Sequence, residues 1–247
     1  MYKEKKVVVV MPAYNAEKTL ETTHAEVLSH GIVDLVIVVD DLSRDRTAEI
    51  ASSLPCTKVF RHQANTGYGG NQKTCYREAL SCGADIVVMV HPDYQYTPKL
   101  IPAMVSLIGD GLYDCVLASR ILGGGALKGG MPWWRYISNR GLTAFQNILC
   151  GAKLSEYHTG YRAYSRQLLE AIPFAENSDD FVFDNQILMQ ILWLGFVIAE
   201  ITCPTKYFAE GSSISFRRSI VYGSGCAWEA IKYRCAKLRL GRNPLRR

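Results

Sequence analysis

Three short apolar runs, residues 7–11, 35–39 and 86–90, each stop at a polar or acidic cluster: 12–15, 40–41 and 93–95. No other feature limits the fold as strongly. Unbroken β-branched and apolar runs of this length suit strands buried on both faces. Between them lie segments with helical spacing at 16–29, 45–54, 72–82 and 98–109, and further strand-like stretches at 58–61 and 115–119. Strands that alternate with helices predict βαβ units, hence an α/β fold with a mostly parallel central sheet flanked by helices. Parallel strands share one carboxyl rim, where ligands bind. The three polar clusters are therefore expected to meet in space.

After Arg120 the pattern changes. A glycine-rich loop at 123–130 precedes an amphipathic helix at 133–149, a strand at 157–164, a helix at 184–194 and a last strand at 197–204. The natural division is one domain over 1–215, with a nucleotide-type half at 1–120 and an acceptor-type half at 121–215, followed by a basic tail at 216–247. A chain of 247 residues, 48% hydrophobic and 21% charged, has enough apolar content for one large core. The eight cysteines form no Cys-x-x-Cys pair, which excludes a zinc ribbon or redox motif and predicts small buried thiols in a reducing cytosol. No run reaches the ~20 apolar residues of a membrane span, so the expected location is cytoplasmic. Charge is uneven. From Phe216 onward nine Lys and Arg face Glu229, a balance of +8, which leaves −3 for the rest of the +5 total. Such a tail implies an anionic partner, lipid headgroups or a phosphorylated substrate; no recognition motif for nucleic acid accompanies it.

Asp93 and Gln95 offer a carboxylate and an amide oxygen two residues apart, able to face one hard cation that neutralises a diphosphate. The loop from Asn65 through Gly67 to Gly70 precedes a helix, where glycine lets backbone approach a phosphate. It is neither a P-loop nor a G-x-G-x-x-G fingerprint, and a tight turn is the other reading. Lys73, in the first helical turn, points at a phosphate or at solvent. Asp40 contacts a base or ribose, or caps a helix. Trp133, Trp134, Arg135, Tyr136 and Arg140 suit a membrane interface, or core aromatics with solvated arginines. His24, His30 and His62 read as surface or loop histidines.

Val-Val-Met-Pro-Ala-Tyr-Asn at 9–15, Ile-Val-Val-Asp-Asp-Leu-Ser-Arg-Asp-Arg-Thr at 37–47 and Asn-x-Gly-x-Gly-Gly at 65–70 together resemble the family 2 glycosyltransferases. Ala118-Ser119-Arg120 and His158-Thr159-Gly160-Tyr161-Arg162 are similar to the Gly-Ser-Arg and Thr-Gly-Phe-Arg segments of the dolichyl- and polyprenyl-phosphate sugar synthases within it. The resemblance implies the GT-A fold and a metal-dependent, inverting transfer of sugar from a nucleoside diphosphate sugar. The implied acceptor is a polyprenyl phosphate, at the inner face of the plasma membrane, or a glycan. Pro12, Ala13, Tyr14, Asn15, Asp40, Asn65, Gly67, Lys73, His91, Asp93 and Arg120 would form the nucleotide-sugar site, and Asp93 and Gln95 would hold Mg²⁺ or Mn²⁺. Asp184, then Asp180, match the position of a general base. Arg135, His158, Arg217 and Arg218 are implied acceptor or phosphate contacts.

Two departures stand out. His91 replaces the first Asp of the family's Asp-x-Asp pattern and removes a negative charge beside the cation. Residues 208–214 lack the family's basic residues, which leaves Arg217 and Arg218 to supply them. Two alternatives follow: a nucleotide-sugar-binding protein without activity, and a nucleotidyltransferase, against which the lack of an early Gly-Gly-x-Gly-x-Arg loop counts.

Overall fold

The computed structural model describes residues 1–204, 216–241, 243 and 245. Seven strands form one sheet: β1 (Val7–Ala13), β2 (Leu35–Asp40), β3 (Thr57–Arg61), β4 (Ile86–Met89), β5 (Cys115–Ser119), β6 (Arg162–Ser165) and β7 (Ile198–Thr202). Their order is β3-β2-β1-β4-β6-β5-β7. β1 pairs in parallel with β2 and β4, β2 with β3, and β5 with β7, while β6 runs antiparallel between β4 and β5. The mostly parallel sheet expected from the alternation is therefore present, with one reversed strand.

That reversal positions the site. The expected strand at 157–164 begins only at Arg162, because the residues before it turn their polar groups onto β5 and the backbone beyond it. Thr159 Oγ1 donates to the Ala118 carbonyl at 2.7 Å, and the Arg120 amide donates to Glu156 at 2.9 Å. Arg162 pairs with Met89 of β4 and Leu117 of β5. The irregular stretch that precedes β6 thus lies on the rim where β4 and β5 end.

The helices are α1 (Leu20–Ser29), α2 (Thr47–Ser53), α3 (Gly67–Ser81), α4 (Ile101–Gly109), α5 (Trp133–Cys150), α6 (Arg166–Ala171), α7 (Phe183–Leu194) and α8 (Phe216–Lys237). Alternate strand residues feed two cores, as the period of two in a strand requires. Val7, Val9, Met11, Val36, Val38 and Val88 pack with Leu20 and Val27 of α1 and Met104 and Val105 of α4. Val8, Val10, Ile37, Val39, Val87 and Met89 pack with Tyr76 of α3 and Ile187 and Leu188 of α7. These strand side chains have no solvent contact, and each such burial contributes about 1.5–3 kcal/mol.

Within the basic segment, Phe216–Lys237 is a packed helix. Cys226, Ala230, Tyr233 and Ala236, spaced three and four apart, are buried, and the Tyr233 ring meets Trp193 of α7 edge-on at 5.8 Å. α8 also packs on α5. Their outer sides expose Trp133, Ile137, Phe145 and Ile148 of α5 and Ile220, Val221, Trp228 and Ile231 of α8. No described helix is long and apolar enough to cross a membrane.

Two expectations need correction. All eight cysteines are free, but only Cys75, Cys115, Cys203 and Cys226 are buried. His24 is not a surface residue: α1 turns it inward, where Nε2 meets Thr57 Oγ1 at 2.8 Å and burial lowers its pKa.

Candidate functional site

The polar clusters after β1, β2 and β4 line one cavity of about 2540 Å³ on the carboxyl rim of the sheet. Its wall on the β1–β4 side carries Tyr14, Asp41, Asn65, His91, Asp93 and Gln95; α5 and α8 supply Trp134, Arg135, Arg218 and Tyr222. Small-molecule pockets run about 300–1,000 Å³, so this one has room for two reactants.

The sequence reading gave Asp40 the contact with the base. Asp40 is instead fully buried below the cavity, 3.2 Å from Arg61 Nε, with the Ser43 amide donating to its carboxylate. Its neighbour Asp41 faces the cavity. Asp41 Oδ1 accepts from the Thr66 amide at 2.8 Å, Thr66 Oγ1 at 2.9 Å and His62 Nδ1 at 2.7 Å, and Oδ2 accepts from the Gly67 amide at 3.0 Å. Asn15 ties the β1 turn to the same region, since its Oδ1 accepts from the Arg44 amide. Pro12, Ala13 and Tyr14 lie on the cavity wall, with Tyr14 half exposed.

The glycine loop does not present its amides to the cavity as a phosphate cradle. The Gly67 amide is taken by Asp41, and those of Gly69 and Gly70 donate to the Asp179 carbonyl at 2.7 and 3.3 Å. Glycine is required here by packing: a Cβ on Gly69 would stand 2.3 Å from the Ser178 carbonyl oxygen. Lys73 serves the same junction, donating to the Asn177 carbonyl at 2.5 Å and to Asp179 at 2.7 Å; Asp179 lines the cavity but Lys73 does not. Asn65, whose Nδ2 donates to the Asp41 carbonyl, and Gly67 remain on the wall.

Asp93 and Gln95 stand on the turn after β4, where the Gln95 amide donates to Asp93 Oδ1 at 3.0 Å. A carboxylate and an amide oxygen on one turn fit a hard cation. No described cluster of three or more His, Cys, Asp or Glu residues builds a closed metal centre, so such a cation would draw its other ligands from a diphosphate and water.

His91 on the same wall is part of a hydrogen-bonded chain, running inward to buried Asp184 and Arg162, that the sequence did not reveal. Its Nε2 lies 3.2 Å from the Tyr68 hydroxyl, and the two rings stack at 5.5 Å. The Tyr68 hydroxyl donates to Asp184 Oδ2 at 2.7 Å. Burial and then the Asp184 charge push the Tyr68 phenol well above its usual range, so it keeps its proton. Arg162, fully buried, stands 4.0 Å from Asp184 Oδ1 and spends its other donors on the carbonyls of Tyr157, Thr159 and Asp184. The one sequence signal for Tyr68 is an aromatic set between the glycines of its loop.

Asp184, the first expectation for a base, therefore sits behind Tyr68 and off the cavity wall. Asp180, the second, is exposed on that wall, its Oδ1 accepting from the Phe181 amide at 2.8 Å. Arg120 is tethered by Glu156, and its Nη2 also donates to the His158 carbonyl at 2.9 Å. Burial opposes ionisation of Glu156, but the Arg120 charge and hydrogen bonds outweigh it and hold the carboxyl below its ordinary range. His158 lines the cavity, with Nδ1 2.9 Å from the Tyr222 hydroxyl of α8. Burial pushes its pKa down to about 4, the Glu156 charge offsetting only part, so the ring is neutral near pH 7. Arg135, stacked on Trp134 at 5.1 Å, and Arg218 lie on the wall; the side chain of Arg217 and residues 208–214 fall outside the described residues.

Comparison with known proteins adds three findings. The profile of the family described as "Glycosyl transferase family 2" matches residues 8–172. A dolichyl-phosphate hexose transferase of Haloferax volcanii is 30% identical over 80% of this chain and 82% of its own, and a UDP-N-acetylglucosamine–dolichyl-phosphate N-acetylglucosaminyltransferase of Methanococcus voltae is 29% identical over 68% and 73%. Among solved structures, glucosyl-3-phosphoglycerate synthase from Mycobacterium tuberculosis, in complex with Mn²⁺, UDP and glucosyl-3-phosphoglycerate, superposes with a TM-score of 0.66 at 22% identity, covering 97% of this chain and 82% of that one.

Proposed function

The chain belongs to glycosyl transferase family 2 and is a glycosyltransferase of GT-A fold, and on that premise we propose that it moves a sugar from a nucleoside diphosphate sugar to a polyprenyl phosphate, with inversion. One observation carries the choice of acceptor. The cavity runs from the turns of β1–β4 to a wall of Trp134, Arg135, Leu142 and Arg218, whose parent helices α5 and α8 expose an apolar outer side. Cationic and apolar groups side by side fit a phosphate on a hydrocarbon tail. The buried position of Asp184 agrees, because an ionised phosphate needs no base, whereas a sugar hydroxyl does.

On the donor side, Tyr14, Pro12 and Ala13 line the base pocket, with Asn65 and Gly67 beside it. Asp93 and Gln95 would hold Mg²⁺ or Mn²⁺. Bound there, the ion supplies charge neutralisation for the departing diphosphate. Arg135 and Arg218 hold the acceptor phosphate in line with the anomeric carbon; one oxygen forms the new glycosidic bond as the bond to the nucleoside diphosphate breaks. Trp133, Ile137, Val221 and Trp228 lie in the headgroup region at the cytoplasmic face of a membrane, and the basic residues of the C-terminal segment meet its anionic lipids.

The test incubates the purified chain with labelled UDP- and GDP-sugars and vesicles that contain polyprenyl phosphate, with Mn²⁺ or with EDTA. Labelled lipid formed with metal and lost with EDTA is expected. Tight nucleotide-sugar binding without turnover on any acceptor would refute the transfer reading, and product on a free glycan alone would shift the acceptor and give Asp180 the role of base.

A further inference from the structure

We propose that His91 is a third protein ligand of the cation, through its Nδ1, and that this nitrogen makes the site prefer Co²⁺ and Ni²⁺ to Mg²⁺, with Mn²⁺ between them. The assignment rests on the glycosyl-transfer reading and adds to it the choice of metal.

The hydrogen-bond chain behind the ring decides which nitrogen is available. Tyr68 has a single hydroxyl hydrogen, and it goes to Asp184 Oδ2 at 2.7 Å. The Tyr68 oxygen can then only accept from His91 at 3.2 Å, so Nε2 carries the imidazole hydrogen and Nδ1 the lone pair. Packing decides which edge of the ring meets the cavity. A Cβ on Gly160 would stand 2.8 Å from Nε2 and 3.1 Å from Cδ2, and the Tyr68 ring stacks on the imidazole at 5.5 Å. The ring is half-buried and lines the cavity, and the edge that these neighbours leave to it is Nδ1–Cε1.

A nitrogen lone pair attracts a cation and repels a phosphate oxygen, which has no hydrogen to give. His91 opens the turn that presents the Asp93 carboxylate and the Gln95 amide, and all three side chains line the cavity. The turn is pinned at several points. Thr23 Oγ1 donates to the Pro92 carbonyl at 3.3 Å, the Tyr94 hydroxyl to Glu26 Oε2 at 2.6 Å, and the Gln95 amide to Asp93 at 3.0 Å. Asp93 and Gln95 alone would make an all-oxygen set, which suits Mg²⁺. An imidazole nitrogen moves the preference toward the later divalent transition metals. Tyr68 is then a positioning residue: backed by Asp184, it holds the tautomer and the angle of the ring, as outer partners do for metal-bound histidines. Asp184, at the position expected of a base, thus acts through Tyr68 and His91 without touching substrate.

Electron spin echo modulation of Mn²⁺ bound to the full chain with UDP, GDP or dTDP tests this, with histidine at natural abundance and labelled with ¹⁵N. A nitrogen coupling that changes with the label and disappears in His91→Asn is expected. Calorimetric titration of the nucleotide-bound chain should show tighter binding of Co²⁺ than of Mg²⁺. Losing a ligand costs at least what losing an outer partner does, so His91→Asn should weaken Co²⁺ about tenfold or more and Mg²⁺ less than twofold. Tyr68→Phe leaves His91 in place and should weaken Co²⁺ about tenfold, which carries the test if His91→Asn does not fold. Bound Mn²⁺ without a histidine coupling overturns the proposal and leaves the metal-dependent donor site standing. So does a coupling that survives in His91→Asn, wild-type protein that holds Mg²⁺ as tightly as Co²⁺, or Co²⁺ affinity that the variants weaken no more than Mg²⁺. No bound Mn²⁺ with any of the three nucleotides refutes the metal-dependent transfer reading itself, and this assignment with it.

Discussion

Asp41→Asn tests whether the glycine loop is anchored by a carboxylate. The side chain keeps its size, yet the wild-type carboxylate accepts four hydrogen bonds, three on Oδ1 and one on Oδ2. An asparagine has one acceptor oxygen and a donor NH₂. Turned to keep the Thr66 and His62 bonds, it sets that NH₂ against the Gly67 N–H, donor facing donor, and the negative charge behind every bond is gone. A lost hydrogen bond to a charged group costs about 1.5–3 kcal/mol, and a buried unsatisfied donor about 1–3 kcal/mol. The two overlap at one site, so a net loss of about 3 kcal/mol is expected. For a chain of 247 residues each kcal/mol lowers Tm by about 2–4 °C, which gives a drop of roughly 6–12 °C by scanning calorimetry. Hydrogen exchange locates the effect: the Gly67 amide should lose protection more than amides of β2 in the same variant. Nucleotide-sugar affinity should fall too, because the loop carries Tyr68 to His91. A Tm within 2 °C of wild type, with Gly67 exchange unchanged, would show that the loop is held by its packing on Ser178 and Asp179 alone.

The remaining predictions concern the cation, the membrane and pH. Asp93→Ala should abolish metal-dependent transfer with circular dichroism and Tm near wild type, and full activity in that variant excludes the metal role. Trp133→Ser combined with Trp228→Ser should reduce flotation with vesicles rich in anionic lipid while leaving solution-phase donor binding intact, since both rings are solvent-exposed in the fold; unchanged flotation removes the docking surface. Burial holds folded His158 neutral down to about 4, whereas the unfolded ring takes a proton near 6.5. Between those values the unfolded state binds more protons, so stability falls as pH falls through that window, by at most about 3 kcal/mol. Urea melts from pH 7 to 4 should show this slope, and His158→Phe should flatten it; an identical slope in the variant assigns it to other groups.

The sequence determined the sheet and the edge that carries the chemistry. Runs such as 7–11 and 86–90 are apolar at every position, and only a strand covered on both faces hides all of them; β1 and β4 do so. Because parallel strands end on one side, the same pattern places Tyr14, Asp41 and Asp93 on one cavity wall. Sequence spacing could not distinguish Asp40 from Asp41, since adjacent residues at a strand end point to opposite sides, and only the tertiary contact of Arg61 with Asp40 and of Thr66 with Asp41 separates them. Nor could it show that Lys73 and the Gly69 and Gly70 amides are spent on 177–179, more than a hundred residues away. Asp184 carries a base-like position in sequence, but Tyr68 stands in front of it and Arg162 behind. Local pattern fixes which face is buried, because burial follows the periodicity of the chain itself. Which charge is free to act depends on partners brought in from elsewhere, and folding alone supplies those.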